Sequence, residues 1–333
     1  MIVYYRKKKV YDMEGCRMNE LAQQVLEGKR LQRGQDLSGL LNLDLEDLCQ
    51  GADAIRKAFC GQRGELCTII NARSGRCSEN CKFCAQSSHY HTQAEEYAFL
   101  PVEDIVRQGK DNEAAGVHRY SLVTAGRGLH GQELEQALEA YRRLRVETGL
   151  GLCASHGFQT LEEFQAMKAA GVTRYHANLE TSRRNFPNIC TTHTYEEKLE
   201  NIRRAKQAGL EVCSGGILGM GETWEDRIDM ALDLAQLEVV SIPLNLLTPI
   251  PGTPLEGQEK LSDEDVLRSV AIFRYLNPTA WVRMAAGRRR FADGGRKLFQ
   301  AGANAAITGD MLTTTGTGVA QDRTMLTELG YQI

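Results

Sequence analysis

Cys77-Ser-Glu-Asn-Cys81-Lys-Phe-Cys84 sets three thiols within one short segment. Thiolates are soft ligands, and three at this spacing can converge on one metal centre. Zinc structural sites take four ligands and favour paired Cys-x2-Cys units far apart, whereas iron–sulfur clusters are held by cysteine thiolates. Three local cysteines on a four-iron cluster leave one iron open for a small molecule. The competing reading is a zinc knuckle with His89 or His91 as fourth ligand. The chain carries ten cysteines in all. Nothing at its N-terminus has the apolar stretch of a secretory signal. The expected compartment is therefore the reducing cytoplasm, where clustered thiols point to metal or catalysis rather than disulfides.

These residues must be positioned by a fold, and the hydrophobic pattern names one. From Glu65 onward, short β-branched and apolar runs alternate with longer amphipathic stretches. Strands are expected near 66–71, 118–124, 151–155, 173–179, 211–218, 239–246, 280–285 and 303–308. Helices are expected near 102–115, 132–147, 160–170, 195–208, 223–237, 262–276, 293–300 and 321–329. Gly116, Gly171 and Gly209 suit left-handed helix caps. About eight βα units fit an α/β fold of the (β/α)8 TIM-type barrel. A doubly wound open sheet is weighted below it, because no GxGxxG follows the first strand. Residues 1–17 are charged and aperiodic and read as a loose extension. Residues 18–62 carry helical spacing and read as helices packed on the barrel, which spans 63–333 as one domain. The cysteine loop then follows the first strand, at the barrel end where active sites lie.

Composition excludes other classes. The chain is 42% hydrophobic and 25% charged with a formal net charge of −3. That is a globular balance. It gives no electrostatic case for nucleic acid or a membrane surface as the main partner. No run approaches the ~20 apolar residues of a spanning helix.

Cys-x3-Cys-x2-Cys with Phe83 before the last cysteine resembles the signature of the radical S-adenosylmethionine superfamily. Further segments resemble the biotin synthase family within it: Cys213-Ser-Gly-Gly-Ile-Leu-Gly-Met-Gly-Glu222, Tyr175-His-Ala-Asn178-Leu-Glu180, Cys190-Thr-Thr-His193, Pro243-Leu-Asn245, Gly252-Thr-Pro-Leu and Trp281-Val-Arg283-Met-Ala-Ala-Gly-Arg288. The likeness runs, with gaps, from about Gly64 to the C-terminus. It implies that Cys77, Cys81 and Cys84 hold a [4Fe–4S] cluster whose open iron binds S-adenosyl-L-methionine. It also implies that reductive cleavage of this cofactor yields a radical able to attack an unactivated C–H bond. Phe83, Asn178, Glu180, His193, Gly215, Ile217 and Gly219 are the implied cofactor contacts, and Asn245 the implied substrate contact. Taken alone, the glycine-rich turn after Cys213 reads equally well as a tight turn, and a buried Asn as structural.

The same resemblance implies an auxiliary iron–sulfur cluster, [2Fe–2S] or larger, on inward cysteines and one arginine. Cys153, Cys213 and Arg283 match three of its positions, but Ser121 stands at the fourth. Serine is a poor soft-metal ligand. Cys67, on the first strand, is a candidate to replace it. Side chains of one barrel layer come from alternate strands, and Cys67, Cys153, Cys213 and Arg283 fall on strands one, three, five and seven of this count. An ordinary buried cysteine is the alternative at Cys67. An interior Arg283 needs anionic partners, either cluster sulfur or a buried carboxylate. Cys190 is a weaker ligand candidate, and Cys16, Cys49 and Cys60 are read as non-ligands.

The expected activity is sulfur insertion converting dethiobiotin to biotin, with the sulfur from the auxiliary cluster. Flavodoxin or ferredoxin would supply electrons to a homodimer. Two other readings stay beside it. One is a related radical enzyme, such as an [FeFe]-hydrogenase maturase or a methylornithine-type mutase. The other is a non-catalytic metal-binding regulator.

Overall fold

The structure is a computed structural model and describes residues 18–333. The expected extension 1–17, with Cys16, lies outside the described residues. Nine parallel strand segments form one closed sheet: β1 (Glu65–Arg73), β2 (Arg119–Thr124), β3 (Gly151–Ser155), β4 (Arg174–His176), β5 (Glu211–Cys213), β6 (Gly216–Leu218), β7 (Ser241–Leu246), β8 (Trp281–Met284) and β9 (Ala305–Ile307). Their order is β5-β4-β3-β2-β1-β9-β8-β7-β6, and β5 also pairs with β7, which closes the ring. This is the eight-stranded (β/α)8 barrel that the alternation implied. The expected strand 211–218 is split into β5 and β6.

The split has a steric cause. A Cβ on Gly215 would stand 2.0 Å from the Pro243 carbonyl oxygen. Only glycine lets the two backbones approach this closely. The Gly215 N–H donates to Asn178 Oδ1 at 3.0 Å, and the Ser214 N–H to the Ser241 carbonyl. The strand therefore bends where these bonds replace the regular ladder.

Helices cover the outside of the ring. Three of them begin with capping boxes, at Thr160 with Glu163, Thr194 with Glu197 and Thr223 with Asp226. Each reciprocal pair satisfies two orphan N–H groups and fixes where the chain enters the helix. Gly116, Gly171 and Gly209 all take positive φ, as their cap role required. The N-terminal helices are Glu20–Leu26, Gly39–Asn42 and Leu45–Cys60. The last buries Leu48, Ala52 and Ile55 and packs on the helix Asp263–Leu276. Ala58, at helical spacing from them, is exposed. No helix among the described residues is long and apolar enough to cross a membrane.

Candidate active site

One cavity of about 330 Å³ opens at the C-terminal mouth of the barrel and runs inward. Cys84 and Phe83 line its mouth, and Cys67, Cys153, Cys213 and Arg283 its inner end. Asn178, Glu180, Ile217 and Asn245 lie along its wall. The fold thus gathers residues from every part of the barrel sequence around one space.

The cysteine loop is held by backbone bonds. The Cys77 N–H donates to Gln86 O at 2.9 Å, Ser88 N–H to Cys77 O at 2.8 Å, and Cys84 N–H to Cys81 O at 3.0 Å. The Gln86 amide oxygen accepts from Ser74 Oγ at 3.1 Å and from the Gly75 N–H. Burial pushes the Cys84 thiol up to about 11. Such a thiol ionises when a metal supplies the compensating charge. Three soft donors on one braced loop beside an open cavity fit an iron–sulfur cluster with a free coordination site.

Cys81 is not among the cavity-lining residues, and its thiol stands beside Cys190 and His193. One ligand atom from each of the three lies within 4.8 Å of the others. Sequence reasoning ranked Cys190 low because it follows the fourth strand at a distance. The chain returns, however, and Asn80 Oδ1 accepts the Thr191 N–H at 2.9 Å, pinning that segment to the loop. His193 lies behind the loop and does not line the cavity. Its Nδ1 is 2.5 Å from Glu79 Oε2 and 3.4 Å from Cys190 Sγ. Phe158 and Phe186 contact its ring edge-on. Its Nε2 is buried with no hydrogen-bond partner among the described residues.

At the inner end, Cys67 pairs in register with Arg119, Ser121 with Cys153, and Cys153 with Arg174. The Cys67 thiol hydrogen-bonds Cys153 and, with Arg119 and Arg174, pulls the Cys153 thiol well below its ordinary range. The same contact, with burial, pushes Cys67 up. Arg119 Nε donates to Cys153 Sγ at 3.2 Å. Burial raises the pKa of Cys213, opposed by Arg283 and Arg174. Ser121 is buried and lines the cavity beside them.

Arg283 has a partner that the sequence reading left open. Its guanidinium pairs with the Glu65 carboxylate and donates to Ala306 O at 2.9 Å. Glu65 Oε1 also accepts from Arg174 Nη1 at 2.9 Å, and Arg119 Nη1 stands 3.9 Å from Glu65 Oε2. Burial opposes ionisation of Glu65, but Arg283, Arg174 and Arg119 outweigh it and hold its pKa below the usual carboxylate value. Glu65, Arg119 and Arg174 were not singled out from sequence. The signal was present: each shares strand parity with an inward candidate, Glu65 with Cys67, Arg119 with Ser121 and Arg174 with Asn178.

Several wall residues differ from expectation in how they are held. Asn178 and Glu180 lie beyond β4, which ends at His176. Glu180 takes φ 72° and its backbone brackets Gly215 and Ile217. Asn178 Nδ2 donates to Glu180 Oε2 at 3.2 Å. Ile217 reaches the cavity, but Gly215 and Gly219 do not line it. Gly215 serves strand packing. The Gly219 N–H donates to Glu222 Oε1 at 2.8 Å and Met220 N–H to Glu222 Oε2 at 2.7 Å. Strand packing thus accounts for Gly215 and a tight turn for Gly219. Asn245 lines the cavity with its amide already tied to Gly216 O and the Ala286 N–H, both at 3.2 Å.

Comparison with known proteins agrees with this geometry. Residues 72–234 match the Radical SAM superfamily, and residues 243–332 match the Biotin and Thiamin Synthesis associated domain. Biotin synthase of Clostridium beijerinckii is 58% identical over 316 residues, covering 95% of this chain and 100% of that protein. Biotin synthase of Alkaliphilus metalliredigens is 55% identical, covering 95% and 99%.

The chain belongs to the biotin synthase family.

Solved structures outside that family share its fold. Methylornithine synthase superposes with TM-score 0.80 at 22% identity, covering 94% of this chain and 96% of the other. A maturase of the [FeFe]-hydrogenase gives 0.80 at 18% identity, covering 94% and 74%. At such identities the likeness concerns architecture alone. Both proteins were rival readings of the sequence. The identity to biotin synthases over almost the whole chain decides against them, and against a non-catalytic regulator.

Proposed function

We propose that this chain converts dethiobiotin to biotin by radical sulfur insertion, with S-adenosyl-L-methionine as cofactor. The observation that carries the reading is one cavity with thiols at both ends: Cys84 at the mouth, and Cys67, Cys153 and Cys213 beside Arg283 within. Cys77, Cys81 and Cys84 would hold the [4Fe–4S] cluster. Cys67, Cys153, Cys213 and Arg283 would hold an auxiliary iron–sulfur cluster, with Cys67 in place of the ligand lost at Ser121. When bound, the mouth cluster supplies the electron that cleaves the cofactor, and the inner one supplies the sulfur.

The chain's own residues do the rest. Glu180 and Asn178 offer a carboxylate and an amide on one wall, suited to a ribose diol or an ammonium. Phe83 and Ile217 give apolar contact along the same wall. Asn245 presents donor and acceptor toward a ureido ring. His193 acts indirectly: with Glu79 it braces the loop through Cys190. Enclosure excludes water and fixes the reacting carbon near the cofactor, which limits side reactions. The barrel 63–333 is the catalytic unit, and the helices of 18–62 buttress it. The enzyme works in the cytoplasm as a homodimer and draws electrons from flavodoxin or ferredoxin.

The test is an anaerobic incubation of iron- and sulfide-loaded protein with dethiobiotin, the cofactor and a reductant. Mass spectrometry is expected to find biotin and deoxyadenosine. Deoxyadenosine without biotin, together with product from another substrate, would overturn the assignment.

A further inference from the structure

Barrel interiors are usually filled by apolar layers. The N-terminal end of this one is not. Its last layer is a lattice of charge, with the Glu65 carboxylate facing Arg119, Arg174 and Arg283. Burying such a lattice costs desolvation that well-packed apolar side chains would avoid. Its retention calls for a use.

Arg174 supplies one. It is 4% exposed, yet it lines two separate spaces: the cavity of the candidate site and a second cavity of about 890 Å³ beneath the barrel. On the inner side Arg174 Nη1 holds Glu65 at 2.9 Å. On the outer side its Nε holds Glu211 Oε2 at 3.1 Å, and the Glu211 side chain is 50% exposed. One long, flexible side chain thus stands between the inner thiols and the solvent-facing cavity. The roof and sides of the lower cavity come from the strand entries at Val240 and Trp281 and from Thr279. Its edge comes from the segment Arg30–Arg33. Arg33 is held there by Asp229 and Asp233. Glu238 is the remaining acid on the rim. Around the floor three guanidinium groups stand against two carboxylates, Glu65 within and Glu211 on the outer side of Arg174, and this excess of N–H donors favours a small anion.

We propose that the base of the barrel is a second entrance, gated by Arg174, that admits hydrosulfide to the inner thiol layer independently of the mouth. The inference rests on the proposed function in one respect: a sulfur atom leaves with each product and must be replaced. When cofactor and substrate fill the mouth, the base still opens to solvent among the described residues. Entry is of the intact anion and involves no electron transfer.

The test uses holoenzyme with S-adenosyl-L-methionine and dethiobiotin bound and isotope-labelled hydrosulfide added. Label in the protein-bound acid-labile sulfide is followed with time. Thr279→Trp combined with Ala235→Trp narrows the lower cavity without touching the thiols, the arginines or the mouth. It is expected to slow label entry by about tenfold or more while deoxyadenosine formation stays at the parent rate. Glu211→Gln, which releases the outer hold on Arg174, is expected to speed entry. Entry unchanged in both variants, or abolished in the parent by saturating the mouth with cofactor and substrate, overturns the proposal. A second readout separates it from the functional reading. In chain stripped of iron and carrying Thr248→Trp with Leu312→Trp to narrow the mouth, modification of Cys153 and Cys213 by methyl methanethiosulfonate is expected to slow when the double tryptophan change at the base is added, whether or not any deoxyadenosine forms. Equal modification rates there would also overturn the entrance.

Discussion

The mouth and the floor of the barrel present thiols in opposite ways. At the mouth, Cys77, Cys81 and Cys84 sit on one loop, and their geometry is set by local backbone bonds such as Cys84 N–H to Cys81 O. At the floor, Cys67, Cys153 and Cys213 come from β1, β3 and β5. They meet only because the sheet closes and the registers align. The mouth is braced by backbone bonds and by Glu79, which meets His193 and Arg127, the floor by three arginines around Glu65. A locally built site keeps its shape as long as its loop does. A site assembled across strands depends on the whole barrel and on its charge balance.

Cutting one thiol from each region should separate them most sharply. Cys81→Ala is expected to bring deoxyadenosine formation to background and leave the inner thiols' iron and labile sulfide in place. Cys67→Ala is expected to do the reverse, with cofactor cleavage retained and the inner iron, sulfide and biotin formation lost. Iron and sulfide analysis with product quantification reads both. Unchanged inner iron content and spectrum in Cys67→Ala would remove Cys67 from the ligand set.

Charge at the floor gives the next largest effect. Glu65→Gln leaves Arg119, Arg174 and Arg283 without their shared carboxylate. Removing one member of a buried ion pair costs about 3–5 kcal/mol, so the melting temperature of the metal-free chain should fall clearly. Glu79→Gln, at the mouth, should cost less, because Asn80 and Gln86 still brace that loop. Equal losses in the two variants would erase the proposed contrast.

A smaller effect concerns pH. His156 is fully buried between Thr124 and Tyr141, and burial holds its pKa at about 3 against an ordinary 6.5. The folded chain keeps it neutral where the unfolded chain protonates it. Its contribution is therefore complete above pH 6.5 and is lost as pH falls toward 3, by about 1.4 kcal/mol per pH unit. Denaturant titrations of the metal-free chain should show this slope, and His156→Asn should flatten it. An unaltered slope would place the acid sensitivity elsewhere, with Glu65 the next carboxylate to examine.

How far the sequence could be read follows from the same contrast. The triplet, the βα alternation and the helix caps are contiguous patterns, and each appears in the structure where its spacing placed it. The grouping of Cys67 with Cys153, Cys213 and Arg283 was legible through strand parity, because period two fixes which side chains face inward. The same parity applied to Glu65, Arg119 and Arg174 would have found the floor. A charged residue at the start of a strand usually meets solvent, and closure of the ring is what buries these three.

Other features were beyond any local pattern. That Cys190 and His193 stand against Cys81 depends on the chain beyond β4 folding back over the first loop, and no spacing encodes that return. That Gly215 serves strand packing rather than a ligand depends on how near Pro243 comes. The sequence alone determined the barrel and the inward thiols and marked the cysteine triplet as a soft-ligand loop, because periodicity and short motifs act within a few residues. The tertiary structure alone decided the partner of Arg283, the place of His193 and the thin Arg174 partition, because those are set by closure of the ring, which brings together residues far apart in the chain.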